Sequence, residues 1–143
     1  MTAFHLESEF CEIWANTDMK LAFWGKHIEL MLKSITIIRL VNKDLGVDER
    51  YELNFPKSNV NNLLFGKVME LNHWGDMYCT NLDNGDSLKT KVTGTTGLFL
   101  KAKDKAKVQG FAYRNGSNKA EYRLTGSWLD KLEMEKHQPD SDT

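Results

Sequence analysis

The stretch NVNNLLFGKVMELNHWGDMYCTNLDNGDSL, residues 59–88, constrains the fold most, because it sets two strand patterns and two turn signals in unbroken succession. Apolar residues recur over 64–73 without helical spacing, stop at Trp74-Gly75-Asp76, and resume over 77–82. A second stop follows at Asp83-Asn84-Gly85-Asp86, where Asn-Gly suits the positive φ angles of a primed hairpin turn. This is the signature of a β-meander.

The rest of the chain repeats it. Over residues 2–9, Phe4 and Leu6 share one strand face and His5 and Glu7 the other, and 10–16 alternates Phe10, Glu12 and Trp14 with Cys11, Ile13 and Ala15. A turn is expected at Thr17-Asp18. In KLAFWGKHIELML, residues 20–32, the apolar spacing is roughly helical, but Gly25 and the pair Phe23-Trp24 favour a strand bent at Gly25. Residues 34–41, SITIIRLV, are a β-branched strand, 42–49 a polar loop around Gly46, and 50–55 an alternating strand that Pro56 ends by removing a ladder donor.

Further strands are expected over 87–93 and 108–114, followed by a turn at Asn115-Gly116-Ser117 and a long strand over 120–134 that changes character near Trp128. A flexible loop over 93–97 and a short apolar segment over 98–100 precede KAKDKAK, residues 101–107, a solvated loop or short helical turn with a phosphate-contacting patch as the alternative. The polar tail 135–143 is expected to be disordered. Together these patterns predict an all-β fold, an antiparallel meander forming a partial or open β-barrel with few or no long helices.

Bulk properties bound the function. A chain of 143 residues, 41% hydrophobic, holds one domain, here 1–134, and not two. Nineteen basic against 20 acidic residues leave a net charge of -1, so no global field favours nucleic acid or an anionic membrane. Cys11 and Cys79 lack metal or redox spacing and read as reduced thiols, and with no signal-peptide pattern the expected compartment is the cytoplasm.

The search for chemistry is mostly negative. His5, His27, His73 and His137 have no ligand spacing, Gly66-Lys67 lacks the surrounding phosphate-loop pattern, no Gly-x-Ser-x-Gly elbow occurs, and Glu29 and Glu70 suit a solvated outer face. No catalytic residue, metal or cofactor is expected. What remains is a set of large apolar side chains, including Phe4, Trp14, Phe23, Trp24, Phe65 and Trp74, which either pack a core or wall a lipid-sized cavity.

Several segments resemble the oxysterol-binding protein family in the same order. Val60-Asn61-Asn62-Leu63-Leu64-Phe65-Gly66-Lys67 resembles its Val-x-Asn-apolar-apolar-apolar-Gly-Lys segment, and Phe23-Trp24-Gly25-Lys26-His27-Ile28-Glu29 its Phe-Trp-Gly-Lys-Ser-Ile-Glu strand. Ala3-Phe4-His5 is similar to the residues just after its His-His-Pro-Pro signature, Asn81 with Asn84-Gly85-Asp86 to its Asn and Thr-Gly-Asp, and Val108-x-Gly110 and Leu124-x-Gly126-x-Trp128 to its closing strands. The resemblance implies a non-enzymatic lipid carrier for sterol, phosphatidylinositol 4-phosphate or another phospholipid, cytoplasmic and in transient contact with membranes. It covers a partial domain beginning just after the signature, so no headgroup-binding residue carries over.

Phe4, Leu6, Phe23, Leu63 and Phe65 are the expected lipid-facing wall. Lys26 and Lys67 are expected at strand ends or in solvent, and Gly66 at a bulge or close backbone approach. The missing strands lead us to expect homo-oligomerisation through unpaired sheet edges or an altered closure, and transfer impaired by the missing lid and signature. The alternative is a noncatalytic module that recruits a protein along a sheet edge.

Overall fold

The computed structural model describes residues 2–25, 27–62, 69–95 and 105–138. Leu63, Phe65, Gly66, Lys67, Lys26, the segment 98–100 and residues 101–104 of the lysine-rich run lie outside them. Among the described residues ten strands form one antiparallel sheet: β1 (Thr2–Glu7), β2 (Cys11–Phe23), β3 (His27–Asn42), β4 (Val47–Leu53), β5 (Lys57–Asn61), β6 (Glu70–Asn81), β7 (Ser87–Val92), β8 (Lys107–Tyr113), β9 (Ala120–Ser127) and β10 (Leu132–Lys136). No helix occurs among the described residues. The order is β1-β2-β3-β4-β6-β7-β8-β9-β10, with β5 set between β3 and β6. β1 and β10 end the order without pairing to one another, so the sheet is an open barrel.

β4 and β5 are one lane broken by a proline. From Leu53 to Ser58 the lane advances five residues while β3 goes back six, from Thr36 to Leu30, so one residue of β3 is left over at the break. Pro56 has no N–H to give there. The side chain of Asn54 takes over part of the ladder, accepting from the Tyr78 N–H (2.5 Å) and donating to the Asp76 carbonyl (3.1 Å).

Several sequence expectations are corrected. No turn interrupts Trp74-Gly75-Asp76: β6 runs through, and Gly75 (φ 111°) sits where it changes partner from β5 to β4. No turn occurs at Thr17-Asp18 either, because Thr17 pairs with Ser34 and Asp18 with Lys33 while β2 continues to Phe23. The chain instead reverses at Trp24-Gly25, where Gly25 has φ 72°, so residues 20–32 are the two arms of a hairpin and not one bent strand. The span 120–134 is likewise a hairpin, β9 turning into β10 with the Ser127 N–H donating to the Lys131 carbonyl at 2.9 Å.

A further correction concerns the Asn-Gly turn. It makes a hairpin, but positive φ is confined there to Gly85 (81°), and the turn is a longer one tied by Asn81. Asn81 Oδ1 accepts from the N–H groups of Asp83 (2.9 Å) and Asn84 (3.2 Å), which is how asparagine mimics a backbone turn. Glu135 and Lys136, placed in the polar tail by sequence, are paired in β10.

Candidate functional site

Register decides which side chains share a face, because directly paired residues in an antiparallel ladder point the same way. One row runs Phe4, Ala15, Thr36, Leu53, Cys79, Leu88, Ala112 and Tyr122 across the sheet from β1 to β9. Its neighbour begins Leu6, Ile13, Ile38, Tyr51 and Asn81. Phe23 and Ile28 close the same face at the tip of the β2–β3 hairpin. The face is apolar over nearly all its length.

This face is also the inner one. Glu49 and Tyr51 from β4, Cys79 from β6, Leu88 from β7, Tyr122 from β9 and Met134 from β10 line one cleft of about 500 Å³. Strands in a sheet lie about 4.8 Å apart, so the five lanes separating β4 from β10 would hold those side chains roughly 24 Å apart if the sheet were flat. The sheet therefore curls around them.

The structure puts Phe4, Leu6 and Phe23 on this inner face, but on its N-terminal flank, where they are 43%, 58% and 65% exposed. A second cleft of about 510 Å³ lies against the opposite face of β1 to β3, where register places His5, Trp14, Ile35 and Ile37, with Phe4 and Ala15 at its edge. The cleft side chains of β4 to β10 were missed by sequence reasoning. Alternation signalled their face; which strands the curl would bring together is a long-range property that spacing does not carry.

Polar groups interrupt the inner face in places. Thr17, Ser34 and Thr36 form a hydroxyl ladder, with Thr17 to Ser34 at 3.4 Å and Ser34 to Thr36 at 3.2 Å. Further along, the Tyr51 hydroxyl donates a short hydrogen bond to Glu49 Oε2. That bond and partial burial push the Tyr51 phenol up to about 12, against an opposing hydrogen bond from Asn81.

The outer face is built differently. Arg39 bonds Asp48 through both Nε and Nη2 at 2.7 Å and reaches Glu12 at 3.4 Å, and Arg50 bonds Asp83 at 2.7 Å. These partners hold Asp48 and Asp83 below the usual carboxylate range. Among the described residues no group of His, Cys, Asp and Glu could hold a metal ion, and no helix is long and apolar enough to cross a membrane.

An open antiparallel sheet curled around an apolar inner face and polar outside is the architecture of a barrel-like ligand-binding domain. The model of the oxysterol-binding protein family matches residues 1–143, and the chain belongs to that family. It is 29% identical over 136 residues to oxysterol-binding protein-related protein 3 of Mus musculus, covering 92% of this chain and 14% of that protein. With oxysterol-binding protein-related protein 7 of Homo sapiens it shares 31% over 137 residues, 92% of this chain and 15% of that one. The chain thus spans about one seventh of the length of these curated relatives.

Among solved structures it is similar to the Osh1 ORD domain in complex with cholesterol, with a TM-score of 0.76 at 18% identity over 98% of this chain and 31% of that one. The Osh3 ORD in complex with PI(4)P from Saccharomyces cerevisiae gives 0.65 at 23% identity, over 91% and 33%. At such identities the likeness establishes the shared fold.

Proposed function

We propose that this chain supplies part of the wall of an intracellular lipid-binding cavity and serves non-enzymatic lipid transfer. The observation that carries the reading is the apolar row running from Phe4 on β1 to Tyr122 on β9 across a curled sheet. Such a face has no soluble use unless something apolar covers it. The relatives supply the occupant's chemistry, since structures of the same fold hold cholesterol, ergosterol and PI(4)P. Phe4, Leu6, Phe23, Leu63 and Phe65 are proposed wall residues, and donor and acceptor membranes are contacted transiently from the cytoplasmic side.

Native mass spectrometry of the purified chain, with organic extraction of the same sample, tests this. The expected result is sterol or phospholipid in stoichiometric amount, reduced when Leu88 and Ile38 are replaced together by Asn. A chain that carries no lipid and takes none from sterol-containing vesicles overturns it.

A second reading rests on the two edge strands. β1 and β10 each present one side without a partner among the described strands, which suits pairing with another copy or an extended peptide. The same spectrum separates the readings, because an empty dimer supports edge pairing and a lipid-loaded monomer opposes it.

A further inference from the structure

Asn-Gly occurs twice in the sequence, at Asn84-Gly85 and at Asn115-Gly116, and the fold sets the two pairs against each other. A Cβ on Gly85 would lie 2.7 Å from Asn115 Cγ, so the Asn115 carboxamide rests on the turn that holds the other pair. Asparagine is chemically labile, and most so before glycine, whose backbone nitrogen can approach the side-chain amide unhindered by a side chain of its own. That nitrogen must reach the carboxamide carbon and shed its proton. Hydrogen bonds that hold either group therefore suppress the reaction.

The two sites differ in those bonds. In the β6–β7 turn the Gly85 N–H donates to the Asn81 carbonyl at 2.8 Å, and Asn84 Oδ1 accepts from the Asp86 N–H at 2.8 Å. Asn81 Oδ1 ties the same turn through the N–H groups of Asp83 and Asn84. In the β8–β9 turn one bond, from the Ser117 N–H to the Arg114 carbonyl at 3.0 Å, spans Asn115 and Gly116 without using either reacting group. Among the described residues the Gly116 N–H and the Asn115 carboxamide have no hydrogen-bond partner. The Asn115 N–H is anchored on Asp86 Oδ1 at 2.9 Å, which leaves untied the peptide unit that carries the Gly116 nitrogen. Gly116 has φ 74°, and nothing lies within 4 Å of its Cβ position. Asn84 and Asn115 are both exposed, so solvent access does not separate them.

We propose that Asn115 is a site of spontaneous deamidation in the folded chain, and that Asn84, in the same dipeptide, is protected by its turn. The Gly116 nitrogen gives its proton to solvent base and bonds to Asn115 Cγ. The Cγ–Nδ2 bond breaks, Nδ2 takes up a proton and leaves as ammonia, and a succinimide ring remains. Water then adds to one ring carbonyl. Breaking the Cγ–N bond gives Asp, whereas breaking the backbone C–N bond gives isoaspartate, with an extra carbon in the main chain; the Gly116 nitrogen regains its proton in both. Either product sets a new carboxylate beside Asp86, whose Oδ2 engages Arg114 at 2.9 Å. Asp86 and Arg114 line the inner cleft, so the modification changes the charge at its border. The reaction needs no ligand, and its outcome is independent of the lipid-binding reading.

The test ages the purified chain at physiological temperature and mildly alkaline pH, folded in buffer and unfolded in concentrated urea. Digestion after lysine releases residues 68–89 and 108–119, each holding one Asn-Gly pair. Fragmentation mass spectrometry then locates the deamidated residue and distinguishes Asp from isoaspartate. In the folded chain Asn115 is expected to react about tenfold or more faster than Asn84, the worth of the two hydrogen bonds that the β6–β7 turn must first break. In urea the two should react at similar rates, because both are then plain Asn-Gly pairs.

Equal rates in the folded chain, or a faster Asn84, overturn the proposal. So does a folded chain that leaves both residues intact while urea exposes both to reaction. A preference for Asn115 that persists undiminished in urea overturns it too, since neighbouring sequence and not the turn would then set the choice.

Discussion

The N-terminal flank, β1 to β3, and the trough, β6 to β9, are written in the same alternating pattern, yet they bury very different amounts. Leu6, Leu21 and Phe23 on the flank are 58%, 61% and 65% exposed, whereas Val92 and Val108 in the trough are 5% and 4% exposed. Strand grammar is shared; curl is not. Val92 and Val108 are directly paired, with Ala106 and the Trp128 turn packed close by, while on the flank only small or polar residues of the same face, Ala15 and Thr36, are buried and the large apolar ones stay exposed. Apolar area left in water returns none of the roughly 25 cal/mol per Å² that burial yields. The flank is thus held chiefly by its long β2–β3 ladder, and the trough by ladder and packing together.

The largest effect expected from breaking this contrast is at the trough's last hairpin. Gly126 has φ 147°, and a Cβ there would lie 2.1 Å from the Lys131 carbonyl oxygen and 2.9 Å from Leu132 Cα. Both obstacles are backbone, so Gly126→Val should cost more than about 3 kcal/mol and detach β10. Gly25 on the flank also has positive φ (72°), but nothing lies within 4 Å of its Cβ position. Gly25→Ala should cost only about 1 kcal/mol, the intrinsic penalty of that conformation. Urea midpoints for the two variants measure the difference, and equal losses would mean that the hairpins are equally held.

A smaller loss is expected at Val108→Ala. Its two methyl groups are packed in the trough, and removing them should cost about 2 kcal/mol from lost transfer energy and incomplete collapse. A loss below about 0.5 kcal/mol in the same urea titration would show that the trough is loosely packed despite its low exposure.

Flank and trough also differ in how legible they were. All-β class, antiparallel order and the open sheet followed from period-two alternation and turn residues, which are local. The reversal at Gly25 was misplaced because Thr17-Asp18 imitates a turn, whereas Thr17 spends its hydroxyl on Ser34 across the ladder. Gly75 imitates a turn for another reason: it relieves β6 as the strand passes from β5 to β4, a demand set by Pro56 some twenty residues away. Phe4, Leu6 and Phe23 could be placed on one face from alternation. Glu49 could not be singled out, since one carboxylate among many becomes conspicuous only when register places it on the largely apolar inner face.

Acid should weaken the chain through His73, which stands on the inner face beside the trough. Burial lowers its affinity for a proton, its Nδ1 is 2.7 Å from Ser58 Oγ, and its ring meets the edge of Trp128 at 5.1 Å between centroids. The unfolded chain therefore protonates first, at about pH 6.5, and stability falls from there until the pH reaches the lowered folded value. Unfolding midpoints between pH 7.5 and 5 should decline, and His73→Gln should flatten the decline. An unaltered slope in that variant would assign the acid response to other groups.

The smallest effect on stability is expected where side chains are largest. Phe23→Ser and Leu21→Ser replace residues already 65% and 61% exposed, so each should move the unfolding free energy by no more than about 0.5 kcal/mol. Polar residues at those positions should also lower the chain's tendency to associate, because they shrink an exposed apolar patch. Under the lipid-binding reading the same variants, together with Phe4→Ser, reduce lipid uptake while the urea midpoint stays still. That dissociation separates a wall kept for a ligand from a core kept for the fold. A loss of about 2 kcal/mol or more in unfolding free energy, the size of a core truncation, would mean that the flank packs in solution against something its exposure does not reveal, and the contrast between flank and trough would have to be redrawn.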